Sequence, residues 1–210
     1  MDTFARTSVG VGRRARVDMG MWRGAVVVLA VAAAGCASQR GTGGSGLTVQ
    51  PAMAVAAKPA VKSGALYLDS DLGFEIGRPS ESWQLDATGE LTPEGLSIPV
   101  VLRHRDSGAQ VVLQVAPAIA SPTEMAERLT AGLRTQPGFT AGDPEPLALR
   151  EGAVGFAFQM GEAVSGRVAV LEGGNGQIFV MLATWPRAAG VGVVAAVDQI
   201  FHSVKPIPRT

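Results

Sequence analysis

From Leu66 onward, short apolar runs with a period of two alternate with turn clusters, and two stretches switch to helical spacing. The runs predict strands over Leu66–Asp69, Gly73–Arg78, Ser82–Leu85, Val100–Arg105, Gln110–Ala116, Leu147–Arg150, Ala153–Gly161, Ser165–Glu172 and Gln177–Trp185. Their short connections make neighbours antiparallel. Between Val154 and Met160 the bulky residues Phe156, Phe158 and Met160 share one face, while Gly155 and Ala157 leave the other small. The run from Ile178 to Ala183 is apolar on both faces, as a central strand covered from both sides must be. Gly173-Gly174-Asn175-Gly176 tolerates positive φ and predicts a hairpin turn.

Ser121, Pro122 and Glu124 supply an N-cap hydroxyl, a first-turn proline and an acid, the elements of a capping box. The helix they open runs to about Thr135, with Met125, Leu129 and Leu133 on one face and Glu124 near Arg128 on the other. Gln136-Pro137-Gly138 ends it. A last helix follows Pro186 and carries Val194, Val197, Phe201 and Val204 on one stripe, with Gly190 and Gly192 weakening its start. The expected fold class is α/β (α+β): an antiparallel sheet flanked by helices on both faces.

The segment Gly73-Phe74-Glu75-Ile76-Gly77-Arg78-Pro79-Ser80-Glu81-Ser82-Trp83 resembles the opening strand, turn and tryptophan of PsbP-like and Mog-type (DcrB-like) domains, which are common in bacterial lipoproteins. The helix from Ser121 into Pro137-Gly138-Phe139, the hairpins from Leu147 to Trp185 and the closing stretch Asp198 to Ser203 follow in that family's order. The resemblance implies a PsbP/Mog-like α/β/α sandwich. It also implies a binding or assembly role, and it carries no shared catalytic motif.

Ahead of the domain, an apolar run from Ala25 to Ala34 follows Arg13, Arg14, Arg16 and Arg23 and ends in Gly35 and the sole cysteine, Cys36. Its ten residues span about half of a ~30 Å hydrocarbon core, so the run reads as a removable secretory signal rather than a membrane span. Ala33-Ala34-Gly35-Cys36 is similar to a lipobox, with Cys36 lipidated and anchored in the bilayer. A rival route is cleavage after Ala32-x-Ala34, which releases a soluble periplasmic or secreted protein. Ala37 is not the aspartate of inner-membrane retention, which favours the outer membrane facing the periplasm. Asp2 and Asp18 are foreign to a basic leader, and starts at Met19 or Met21 give a more compact one.

The domain layout is therefore a signal at 1–35, lipidated Cys36 with an Ala/Gly/Ser/Pro linker at 36–64, and a single globular domain at 65–210. The linker contains Gly41-Thr42-Gly43-Gly44-Ser45-Gly46, a dinucleotide-binding pattern in letters only, since no strand precedes it. Residues 1–36 hold five Lys/Arg against two Asp/Glu out of 18 of each, which leaves 13 against 16 and a mature charge near −3. That balance gives no footprint for nucleic acid.

Chemistry is sparse. The chain has two histidines, His104 and His202, and lacks the familiar hydrolase, zinc-protease and P-loop patterns, so no cofactor, metal site or catalytic residue is assigned. Asp198, His202 and Ser203 read as a surface pair and its neighbour, not a triad. Asp69 and Asp71 read as a turn rather than a calcium loop. Arg103 and Arg105 share a face by alternation and could grip an anion, against a solvated edge beside Asp106. Trp83 and Trp185 lie beside proline-containing turns, where an indole either seals the core or lines a groove. Three functions follow in order: a non-enzymatic module binding another envelope protein; a carrier of a small or lipidic ligand between sheet and helix, using room opposite Phe156 and Phe158; and an enzyme assembled from distant strands.

Overall fold

The computed structural model describes residues 61–62, 65–92 and 96–207. The signal, Cys36 and most of the linker lie outside the described residues. The elements in chain order are β1 (Val61–Lys62), β2 (Leu66–Asp69), β3 (Phe74–Gly77), β4 (Trp83–Leu91), β5 (Ser97–His104), β6 (Gln110–Pro117) and α1 (Pro122–Arg134). They continue as β7 (Phe139–Ala141), β8 (Glu145–Pro146), β9 (Val154–Met160), β10 (Val164–Glu172), β11 (Gln177–Pro186), α2 (Val191–Ser203) and β12 (Lys205–Pro206).

The large sheet runs β4-β5-β6-β11-β10-β9-β7, with β8 also paired to β9, and a small sheet runs β1-β2-β3-β12. Every pairing is antiparallel. The fold is α+β, with one helix on each face of the large sheet, as the two-sided apolar run in β11 requires. β11 is the central strand, flanked by β6 and β10.

On one face, Met125, Ala126, Leu129 and Leu133 of α1 bury against Phe156, Phe158, Val168, Val170, Val180 and Leu182. The capping box forms: Ser121 Oγ accepts from the Glu124 N–H, and the Ser121 N–H donates to the Glu124 carboxylate at 2.9 Å. Those bonds hold the Glu124 carboxyl below its usual range, with the backbone bond from Ser121 the largest cause. On the other face, Val197, Ile200 and Phe201 of α2 join Tyr67, Phe74 and Ile76 of the small sheet against Leu102, Leu113, Phe179 and Met181. The Ser203 hydroxyl pins the end of α2 to β3, accepting from the Gly77 N–H at 2.9 Å.

Several expectations change. Leu147–Arg150 is a turn, not a strand; the strand beside β9 there is Glu145–Pro146. Arg150 fixes that turn by donating to the carbonyls of Glu172 at 3.2 Å and Val204 at 3.0 Å. Leu147 lies over Gly155, where an added Cβ would sit 2.5 Å from Leu147 Cδ1. The room expected opposite Phe156 is therefore filled by the chain itself. β4 runs six residues past Leu85, to Leu91. β5 ends at His104, which leaves Arg105 in the turn beyond the strand. Val61–Lys62, inside the stretch read as linker, pair with β2.

Thr130 on α1 is 2% exposed, and its hydroxyl has no hydrogen-bond partner among the described residues. An unpaired buried hydroxyl opposes folding, so the isosteric Thr130→Val is expected to raise stability by about 1 kcal/mol. A higher urea midpoint is the readout; a lower one would mean that the hydroxyl is bonded in solution.

Candidate functional site

The residues singled out in the sequence separate into five places. Trp83 is 1% exposed, and its ring meets His104 edge-on at 5.3 Å, so it seals the core. The His104 Nδ1 accepts from the Ser107 N–H at 3.2 Å, which ties it into the turn carrying exposed Arg105. Asp198 spends its carboxylate on Arg167, while His202 Nδ1 meets the Asp198 backbone carbonyl at 2.8 Å. Ser203 is committed to Gly77 and Ile200. Asp69 accepts from the N–H groups of Asp71 and Leu72, the geometry of a plain turn. Among the described residues no group of three or more metal-ligating side chains forms, and neither histidine ring is hydrogen-bonded to a hydroxyl or carboxylate.

Trp185 and Arg103 instead lie at two recesses, on opposite faces of the large sheet. The first is an open groove of about 510 Å³ on the α2 side. Strand register builds it: Thr140, Gln159, Ser165 and Trp185 are successive partners across β7, β9, β10 and β11, with Ala157 and Arg167 one row inward. α2 packs on β11 and β3, leaving this end of the sheet uncovered. Trp185 is half-buried against the core at one wall, Ala157 is an exposed floor, and Arg167 is held by Asp198 of α2. The result is a broad surface with one aromatic anchor and a row of neutral hydrogen-bonding side chains.

The second recess is a narrow cleft of about 60 Å³ on the α1 side, where α1 covers β9 and β10 but not β5 and β6. Two bulges bend the sheet here, one between Ala87 and Glu90 and one between Ser97 and Val100. Gly89 takes φ 60 in the first, and Pro99, which has no N–H to donate, sits in the second. Ile98, Val101, Val112 and Leu182 make the floor; Thr88, Glu90, Arg103, Gln110, Gln114 and Thr184 supply polar groups. Arg103 is paired with Asp86, which in turn accepts from Gln84 Nε2 at 2.7 Å.

No family model matches this sequence, and no curated protein does. Among solved structures, the chain is similar to cyanobacterial PsbP of Synechocystis at 17% identity, covering 72% of this chain and 98% of that one with a TM-score of 0.47. It is also similar to a mutant of the protein Mog1, at 7% identity, 64% and 91% coverage and a TM-score of 0.46. A third is LpqN of Mycobacterium tuberculosis, described as involved in cell envelope biogenesis, at 14% identity, 72% and 90% coverage and a TM-score of 0.41. PsbP and Mog structures are thus among those to which this chain is similar.

Sequence reasoning passed over Gln114, Glu90, Gln159 and Arg167. The available signal was the single amide inside the apolar run Val111-Val112-Leu113-Gln114-Val115-Ala116. A polar residue at an inward position of a buried strand needs either a partner or a purpose.

Proposed function

We propose that this chain is a non-enzymatic binding module of the cell envelope. Acylated Cys36 holds it to the bilayer, at the outer membrane facing the periplasm, and it docks an extended segment of another envelope protein along the Trp185 groove. The observation that carries this reading is the groove's form: wide and open, floored by Ala157, lined by neutral donors and acceptors and walled by one half-buried indole. Tryptophan is among the residues enriched at the energetic anchors of protein interfaces. The arginine-rich, apolar leader ending in Cys36 supports the address, and the Ala/Gly/Ser/Pro stretch between Cys36 and β1 supports a tether that lets the domain reach on the order of 30 Å from the lipid. A soluble periplasmic or secreted form remains the alternative if cleavage precedes Gly35.

The ligand reading loses the space over Gly155, which Leu147 fills, while the room beside Ala157 is the open groove itself. The test is a photoreactive residue at Gln159 of the full-length chain in native envelopes. One dominant adduct is expected, falling about tenfold or more with Trp185→Ala and also diminished when Cys36→Ser misplaces the protein. The same probe at exposed Glu127 of α1 serves as control. Equal adducts at both positions, or no response to Trp185→Ala, would overturn the docking site.

A further inference from the structure

The narrow cleft between β4, β5, β6 and β11 contains an oddity independent of the Trp185 groove. Gln114 is 6% exposed and lines the cleft; its carboxamide has no hydrogen bond to the described residues, and its polar atoms are not sealed from solvent, so they open to the cleft. Its neighbours across the sheet are apolar: Val180 is its register partner on β11, and Ile98 and Val112 lie on the same face. A carboxamide needs both an acceptor for its N–H groups and a donor for its oxygen. Buried side chains of this kind ordinarily have protein or water partners, and one left open to a recess is poised for a ligand.

We infer that this cleft recognises an uncharged amide group, with Gln114 pairing to it through one donated and one accepted hydrogen bond. Three observations select that chemistry. The volume of about 60 Å³ accommodates about four or five water-sized groups, the size of a carboxamide with its carbon stem. The floor of Ile98, Val101, Val112 and Leu182 takes an apolar stem, while Thr184 and Gln110 add neutral polar groups. Arg103 is neutralised by Asp86, so the remaining charge at the rim is the exposed Glu90 carboxylate, which disfavours anions. The same chemistry has two sources, a free small amide and the amide of an inserted peptide side chain. Both bulges, Ala87/Glu90 and Ser97/Val100, lie in the two strands that carry Thr88, Glu90 and Ile98 of the cleft.

The test uses the full-length ¹⁵N-labelled chain, with the Gln114 side-chain amide signal assigned by its loss in Gln114→Leu. Acetamide is expected to shift that signal saturably, and acetate to leave it in place. Gln114→Leu is expected to weaken acetamide binding, followed at the Val112 and Thr184 backbone signals, by about tenfold or more. It should also raise Tm by about 2–4 °C, because a mostly buried polar side chain without a protein partner is replaced by an apolar one. Val112→Leu narrows the floor and is expected to weaken acetamide as well. The tripeptide Gly-Asn-Gly binding about tenfold tighter than acetamide assigns the site to a peptide; equal or weaker binding assigns it to a free amide. An unsaturable response leaves the cleft a hydration site and overturns the proposal. So do acetate matching acetamide, unchanged affinity in Gln114→Leu, and a lowered Tm in that variant.

Discussion

Replacing Trp83 by alanine is expected to remove about 3–5 kcal/mol of stability, whereas the same change at half-buried Trp185 is expected to cost binding and less folding energy than at Trp83. Trp83 begins β4, is buried to 1% exposure, and sits in the cluster that joins the large sheet to the small sheet and α2. Its ring meets His104, and its backbone is fixed on both sides: its N–H donates to Ser80 at 3.2 Å, and its carbonyl accepts from Arg78 at 3.3 Å. The turn around it therefore cannot collapse into the void that truncation leaves. Domains of this size have about 5–15 kcal/mol in hand, so the variant loses about a fifth or more of its stability. Urea unfolding followed by far-ultraviolet circular dichroism measures the change. A loss under about 1 kcal/mol would mean that Trp83 is not the core residue its burial indicates.

The second large effect is expected at Gly155. A Cβ placed there meets the Val168 carbonyl oxygen at 2.4 Å and Leu147 Cδ1 at 2.5 Å. The first contact is with the backbone of β10, which is locked to β9 and β11 by ladders on both sides and cannot give way. Gly155→Val is expected to cost about 3 kcal/mol or more, at the upper end of overpacking. Gly155→Ala suffers the same clash, since the offending atom is the Cβ itself. Truncating Leu147 to alanine relieves only one of the two contacts. The Gly155→Ala/Leu147→Ala double variant is therefore expected to recover part of the loss, a coupling that a double-mutant cycle reads directly. Full recovery would mean that the Val168 contact is soft; no recovery would remove Leu147 from the account.

Local chemistry made much of this fold legible. The capping box at Ser121, the alternation from Val154 to Met160, the two-sided apolar run of β11 and the Gly173–Gly176 hairpin each depend on residues near one another in the chain, and each formed. The misreadings share a different cause. Leu147 and Leu149 alternate like strand residues, but Arg150, reaching the distant Glu172 and Val204 carbonyls, holds them as a turn. Ala87-Thr88-Gly89-Glu90 has little strand propensity and becomes strand because β5 pairs with it. Phe139–Ala141 likewise owes its form to β9. The site was legible to the same extent: an indole next to Pro186 was a visible candidate, and an arginine in a strand was another. That Arg103 is spent on Asp86 while Gln114 is spent on nothing depends on register and bulges, neither of which is written locally.

The chain enters the described domain through β1, whose two residues pair with β2 as the outer rung of the small sheet, Val61 opposite Tyr67 and Lys62 opposite Leu66. Antiparallel hairpin strands pulled from the open end separate one rung at a time, unlike strands sheared along their length, which must lose all their rungs together. Force transmitted through the N-terminal segment would therefore peel β1 first and leave the large sheet, with both recesses, undisturbed. This short strand acts as a mechanical fuse: the domain yields first at its N-terminal rung while the large sheet and its two recesses keep their shape.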